Sequence, residues 1–273
     1  MSASVLADFL LRMDFGKAAK SIESFISEAV RESRRRGVVI GMSGGVDSST
    51  VATLAVRALG PERVEGLILP SKQTKREDIE DARSIAERLG IRYRSIEIST
   101  IVDAVLSAYG PENVRSRVAR GNISPRVRMT LLYLHANESD LLVAGTGNRS
   151  ELLIGYFTKY GDGGVDILPI GDLYKTQVRG LARYLNIPGQ IIDKVPTAGL
   201  WEGQTDEGEI GMSYVELDTI LSALFDMNMQ AEEITRRFGL PEQKVRRVIE
   251  MSKYNEHKLR MPPSPRVREP RND

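Results

Sequence analysis

Seven residues at positions 43–49, Ser-Gly-Gly-Val-Asp-Ser-Ser, carry the densest chemistry in the chain. Gly44 and Gly45 can take backbone angles denied to other residues, so the chain can turn tightly there and bring its amides close to a ligand. Ser43, Ser48 and Ser49 offer hydroxyl donors, and Asp47 offers the hard oxygens that hold a magnesium ion carried by a phosphate. Val38, Val39 and Ile40 come just before and read as a buried parallel strand. Residues 50–59 come after and read as an apolar helix, with Asp47, Ser48 and Ser49 as helix-starting residue types. A strand, a glycine turn and a helix head make an anion site, because free amides and the positive end of the helix dipole converge there. The stretch has no lysine of the GxxxxGK[ST] kind and does not read GxGxxG, so neither the usual phosphate loop nor an ordinary dinucleotide fold is indicated. A Gly-Gly pair alone would be an ordinary turn; the whole string after a β run is far more specific.

A second group lies at 145–170, GTGNRSELLIGYFTKYGDGGVDILPI. Its glycines leave room for close backbone approach, while Glu151, Lys159, Asp162 and Asp166 supply charge, a combination that suits a binding loop. Lys175 stands near the start of an amphipathic helix over 173–185, where a cation works against the dipole, and that placement implies use. Residues 194–211, KVPTAGLWEGQTDEGEIG, hold the single tryptophan, show no helical or strand period, and suit a mobile lid. Of the two histidines, His135 falls in an apolar helix and reads as a core residue. His257 stands beside Lys258 where the last helix gives out, exposed and available.

The elements that must position these groups follow from periodicity. Residues 17–36 predict a helix ending in Arg34-Arg35-Arg36-Gly37, where cations favour the C-terminus and glycine stops it. Strands at 64–69, 93–98 and 141–144 alternate with helices at 76–89 and 100–109 and with a longer helical region to 137, interrupted at 121–125. This alternation predicts an α/β fold, a doubly wound parallel sheet with helices on both faces. Ligands in such sheets sit outside the carboxyl ends of the strands, where 43–48 and 145–148 would both lie. Residues 213–227, 231–238 and 241–253 predict a helical C-terminal part. Three helices carrying Arg246 and Arg247 invite comparison with DNA-binding modules, but Glu232, Glu233, Glu242 and Glu250 dilute the positive face. We expect one domain over 1–260 and a proline-rich extended tail over 261–273, with no internal repeat.

Composition narrows the classes. The chain has 273 residues and a net charge of +1, enough length for a substantial core and no electrostatic case for a nucleic-acid partner. It has no cysteine, which removes disulfides, thiolate zinc sites and a cysteine nucleophile together. No apolar run approaches the roughly 20 residues that span a membrane. Residues 1–17, with Asp8 and Arg12, read as an amphipathic helix and not a signal peptide, so a cytoplasmic location is expected.

The loop at 43–49 resembles the SGG-x-DS-[ST] loop of the ATP pyrophosphatase family. Beyond it, SGGVDSS, RVRM, GTGNRSE, FTKYGDGGVD, LYKTQ, PTAGL and EHK follow the order and spacing of the ammonia-dependent NAD synthetases across residues 22–263. The resemblance implies a Rossmann-like fold and the last step of NAD biosynthesis: ATP-dependent amidation of deamido-NAD by ammonia, through an adenylated carboxylate, with release of AMP and diphosphate. It implies a homodimer with deamido-NAD near the subunit boundary. Carried over by position, it assigns ATP to Gly41, Met42, Ser43, Gly44, Gly45, Val46, Asp47 and Ser48, together with Thr146, Lys175 and Thr197. It assigns Mg2+ to Asp47 and Glu151. Deamido-NAD falls to Arg126, Lys159, Asp166, His257 and Lys258, with the subunit that supplies the last two left open. Asp47, Lys175 and Asp166 become the candidate catalytic residues, and either Asp166 or Asp162 could take or guide the proton of ammonium.

Glutamine-using relatives carry an extra amidase domain with a cysteine nucleophile; this chain shows neither, so free ammonia or ammonia from a separate protein is expected. The lid sequence and the HKLRMPPSP ending depart from the commoner bacterial versions, which leaves lid and tail contacts open. Rival readings are another adenylating enzyme, such as a tRNA-modifying enzyme or a GMP or argininosuccinate synthetase, and a nucleotide sensor without chemistry. Near-neutral charge, absent cysteine and FTKYGDGG weigh against the first, and the joint presence of Asp47, Glu151 and Lys175 weighs against the second.

Overall fold

A computed structural model of the chain describes residue 6 and residues 10–267. Most of the helix expected over 1–17, and the tail beyond 267, lie outside the described residues. Four parallel strands, β1 (Gly37–Gly41), β2 (Val64–Ile68), β3 (Arg92–Ser95) and β4 (Leu141–Ala144), form one sheet in the order β3-β2-β1-β4. In β1, Val38 and Ile40 turn to one face and Val39 to the other, and all three are fully buried. That is why the run is β-branched and apolar without alternation: each face carries its own helical layer.

On the first face lie α1 (Phe15–Glu32), α2 (Val46–Leu59), α3 (Arg76–Leu89) and α8 (Lys175–Tyr184), which share a core with Val38 and Ile40. On the second, α4 (Ser99–Tyr109) and α6 (Ile123–Ser139) pack with Val39, Leu67 and Val143. The expected interruption near 121–125 falls at Asn122, the C-cap of α5 (Arg117–Gly121) and the N-cap of α6. Pro125 stands in the first turn of α6, where its missing N–H costs nothing. β3 is shorter than the expected 93–98: it is an edge strand with exposed Arg92, Arg94 and Ser95, and Ile96 and Ile98 keep only single backbone bonds to Ile68 and Pro70.

The chain winds from β1 to β2 and β3 in one direction and places β4 on the other side of β1. The loops leaving β1 and β4 are therefore neighbours at a switch point, where a crevice opens. Residues 165–167 run alongside the end of β4, with Asp166 N bonded to Val143 O (2.9 Å) and Gly145 N to Ile167 O (2.8 Å).

The C-terminal helices α11 (Tyr214–Phe225), α12 (Ala231–Phe238) and α13 (Glu242–Asn255) build a separate apolar cluster around Leu217, Ile234, Phe238 and Val245. That cluster takes in Ile154 of α7 (Arg149–Ile154) and Tyr174, the N-cap of α8, so it braces the two helices that carry Glu151 and Lys175. Between α8 and α11 lie α9 (Gly189–Ile192) and α10 (Asp206–Ile210). The second is a departure from the aperiodic reading of 194–211: Thr205 caps it, accepting from Gly208 N at 3.2 Å. The arginines that suggested a DNA-binding module are used within the fold, Arg246 on Glu242 and Arg247 on the carbonyl of Ile210 (2.7 Å). His135 is half-buried and pairs with Glu65 at 2.7 Å, at the sheet and not within an apolar core. No helix among the described residues is long and apolar enough to cross a membrane.

Candidate active site

The loop leaving β1 turns at Gly44, whose φ is +77°, and a Cβ there would stand 2.1 Å from the carbonyl oxygen of Asp78. Only glycine serves both needs. α2 starts at Val46, earlier than Asp47, with Gly45 as its N-cap. The serine hydroxyls are spent inside the loop: Ser48 and Ser49 donate to Gly45 O at 3.1 and 2.9 Å, and Ser43 Oγ accepts from Gly45 N at 3.2 Å. They shape the cradle and leave the backbone to face a ligand. The amides of Val46, Asp47 and Ser48 meet no acceptor among the described residues, as the first turn of a helix requires. Lys194 clamps this loop from outside, donating to Asp78 (2.7 Å), Asp81 (2.6 Å) and Gly44 O (3.3 Å).

Beside the helix head three distant segments meet. Lys175, the first residue of α8, is buried and donates to Asp47 Oδ2 at 2.5 Å and to Glu151 Oε1 at 3.3 Å. Asn148 holds the other Asp47 oxygen at 3.1 Å and closes a reciprocal capping box with Glu151 at the head of α7. Beneath them the buried Asp218 accepts from Ser150 Oγ (2.5 Å), Thr176 N (2.8 Å) and Thr176 Oγ1 (2.7 Å), tying α7, α8 and α11 together. Asp206 accepts from Tyr214 OH at 3.0 Å, while its second oxygen is buried without a partner.

Burial governs the charges here. It pushes the Glu151 carboxyl up to about 8 against the pull of Lys175, with Asp47 pushing the same way. Burial also raises Asp206, and it raises Asp218 to about 6. For Lys175 burial works against the charge, but Asp47 and Glu151 outweigh it and the ammonium is held above its usual range. One cation thus stands among four acid groups, Asp47, Glu151, Asp206 and Asp218, and a further cation would favour their ionised forms.

A cleft of about 1300 Å3 opens over the carboxyl ends of the strands, lined by Ser43, Thr146, Thr197, Arg128, Asp162 and Lys258 among others. On its far side Arg126 donates to Lys159 O (3.3 Å), Lys159 to His257 O (2.9 Å), and Lys258 to Gly155 O (2.6 Å) and Phe157 O (3.1 Å). Asp162 turns its carboxyl onto Thr158 N (2.9 Å), and burial raises its pKa. Asp166 is engaged differently: it accepts from Tyr133 OH (3.0 Å) and Val143 N (2.7 Å) and so ties its segment to the sheet.

The sequence pattern of the NAD synthase family matches residues 18–262. The chain belongs to the NAD synthase family. It is 56% identical to an NH(3)-dependent NAD(+) synthetase of Hyperthermus butylicus, over 94% of this chain and 92% of that one. To its namesake in Archaeoglobus fulgidus it is 52% identical, over 94% and 99%. Among solved structures, an NMN synthetase of Francisella tularensis superposes with a TM-score of 0.83 at 34% identity, over 93% of this chain and all of that one. An NH3-dependent NAD synthetase of Campylobacter jejuni, in complex with nitrate, does so at 0.78 and 35%, over 92% and 99%.

In this NAD synthase the residues named from the sequence fall into two sets. Residues 41–48, Glu151 and Lys175 converge on the helix head, with Thr146 and Thr197 on the cleft wall. Arg126, Lys159, His257 and Lys258 gather on the other side within one chain, and Asp166 stands apart at the sheet end. Sequence reasoning missed Arg128, Asn148, Lys194, Asp206, Tyr214 and Asp218 as parts of the site. The Asn-x-x-Glu spacing at 148–151 is a readable capping signal; the others are marked only by their place in the fold. The expected lid is folded onto α5: Leu200 N donates to Gln204 Oε1 (2.7 Å), and the Arg117 guanidinium lies 4.4 Å from the centre of the Trp201 ring. A Cβ on Gly121 would press on Leu200 and Trp201 at 3.1 and 3.2 Å.

Proposed function

We infer that this NAD synthase amidates deamido-NAD with ammonia at the expense of ATP, giving NAD, AMP and diphosphate through an adenylated carboxylate. One observation carries the reading: a buried lysine is brought to 2.5 Å from Asp47 at the open head of a glycine-turn helix, beside Glu151. That concentration of fixed charge and free amides suits a triphosphate that must lose diphosphate.

The chemistry follows from charge. An anionic carboxylate must approach the α-phosphorus of a polyanion, and its oxygen forms a bond there as the bond to diphosphate breaks. The amides of Val46, Asp47 and Ser48 receive the charge that leaves, and Lys175 neutralises part of it. The loop is therefore a leaving-group site, with Thr146 and Thr197 as further contacts to ATP. Arg126, Lys159, His257 and Lys258 hold deamido-NAD across the cleft, so that carboxylate and phosphorus are held in line. Ammonia then attacks the activated carbonyl carbon, AMP departs, and the nitrogen gives up a proton. Asp162, which borders the cleft, is the better placed of the two acids to receive it, while Asp166 orients its segment.

Mg2+ fits the residues present. Asp47 and Glu151 are hard oxygen donors that share one cation, Lys175, and a metal ion bound beside them would favour the ionised form of Glu151. No group of three acidic or histidine side chains among the described residues could hold a metal alone, which suits an ion that keeps phosphate oxygens as ligands. Bound there, Mg2+ would draw charge from the triphosphate, with Asp47 and Glu151 holding it. The homodimer belongs to the same reading, with Ile101, Val105 and Tyr109 presenting an exposed apolar face on α4 as a surface suited to it.

The test is direct. Purified protein with Mg-ATP, ammonium and deamido-NAD should yield NAD and AMP together. No NAD, or ADP in place of AMP, defeats the assignment. Because a superposing relative is named NMN synthetase, the same assay is run with nicotinate mononucleotide. A higher kcat/KM on the mononucleotide would replace deamido-NAD as the substrate.

A further inference from the structure

Arg128 is a charged side chain with most of its hydrogen-bonding capacity unspent. It projects from α6 into the cleft, and its Nε donates to Leu69 O at 3.0 Å, just beyond the end of β2. Among the described residues neither terminal nitrogen meets an acceptor, and no carboxylate forms an ion pair with it. Arg126, two residues earlier, is exposed and places Nη2 on a backbone carbonyl. Arg128 is instead half-buried; that partial burial works against its charge, and only the more distant Asp162 works in its favour. A guanidinium half-buried in a cleft wall, with one neutral carbonyl on Nε and both terminal nitrogens unspent, is set up to take an anion.

Its place says which anion. β2 is the neighbour of β1, and Met42 N bonds to Leu67 O, so the Leu69 carbonyl lies beside the phosphate loop. Thr158 and Asp162 face the same cleft from the opposite loop. Arg128 thus stands between the side that takes the leaving diphosphate and the side that takes deamido-NAD. With Nε fixed on a carbonyl, the guanidinium plane is set and the two terminal nitrogens form a fork, the geometry that matches carboxylate or phosphate oxygens.

We propose that Arg128 binds an oxyanion of the reaction centre, either the α-phosphate of ATP or the carboxylate joined to it. The proposal rests on the functional reading above. It makes Arg128 a group that touches the reacting atoms, separate from Lys175 and the helix amides at the leaving diphosphate.

Calorimetric titration of the full chain distinguishes the two sources. AMP is compared with adenosine, which lacks the phosphate, and deamido-NAD with NAD, which carries an amide in place of the carboxylate. In Arg128→Gln, AMP should bind roughly 10- to 100-fold more weakly with adenosine unchanged if the phosphate is the partner. Deamido-NAD should show that loss with NAD unchanged if it is the carboxylate. Arg128→Lys keeps the charge but not the fork, and it should keep only a minor part of the affinity; it also serves if the Gln variant does not fold. Equal affinities in the variants and the parent, or losses shared by adenosine and NAD, overturn the proposal. Should the parent bind neither AMP nor deamido-NAD, the functional reading falls and takes this one with it.

Discussion

The two walls of the cleft are built by different rules. On the phosphate-loop side, Asp47, Asn148, Glu151 and Lys175 hold one another by mutual bonds, and buried Asp218 locks their helices from below. On the opposite side, Arg126, Lys159 and Lys258 donate to backbone carbonyls; Arg126 and His257 are exposed and Lys159 is half-buried. The first wall is preorganised for one ligand geometry and its charges are strained by burial. The second keeps its cations on backbone carbonyls, bonds that an incoming anion could displace at small cost. On the proposed reading, a leaving group of fixed shape would meet the rigid wall, and the larger co-substrate the adaptable one.

This contrast can be broken most severely at Asp47. Asp47→Ala should lower turnover by about 1000-fold or more while far-ultraviolet circular dichroism stays that of the parent, because the change removes a candidate metal ligand at a loop. A normal rate would remove Asp47 from the proposed metal site. Next comes Gly44→Ala, which meets both a positive φ and the Asp78 carbonyl. It should cost about 2 kcal/mol or more in urea unfolding and raise KM for ATP; unchanged stability would show that the loop can relax.

Charge burial gives a pH signature confined to the rigid wall. Asp218 is held up to about 6 when folded, so the unfolded chain releases that proton first. Stability of the ligand-free protein should therefore fall as pH rises from about 4 to 6, by up to about 3 kcal/mol from this group, and Asp218→Asn should flatten that segment. Glu151, held up to about 8 from an ordinary value of 4.5, acts in the same direction across that whole range, so Glu151→Gln should flatten the slope through to pH 8. Thermal melts at several pH values read both; a slope untouched by either substitution would assign the dependence elsewhere.

The smallest effect belongs to the adaptable wall. Lys159→Ala gives up one exposed bond to the His257 carbonyl, so stability should stay within about 0.5 kcal/mol of the parent. KM for deamido-NAD should nevertheless rise roughly tenfold with KM for ATP unchanged. A rise in both would place Lys159 in the shared framework.

What was readable in the sequence tracks how local the physics is. The strand, glycine turn and helix head at 37–59, the order of strands and helices, and the bounds of α3 and α12 follow from residues close together in the chain, and the structure keeps them. The roles of the loop serines did not follow, because a hydroxyl aimed at Gly45 O looks the same in sequence as one free for a ligand. Asp206, Asp218 and Lys194 sit in stretches without periodic or motif signals, and only packing brings them to the site. Helix α10 was hidden for a related reason: at Asp206–Ile210 it is too short for a period to show, and its Thr205 cap was the available sign.

Trp201 is the only tryptophan of the chain, and it rests under the Arg117 guanidinium against Gly121. The protein therefore carries its single tryptophan, which can be excited at wavelengths where its tyrosines do not absorb, on the segment between Thr197 and α10. Its emission wavelength and quenching by iodide follow that segment alone, so a stopped-flow trace on adding nucleotide would time any movement of the segment with no label attached.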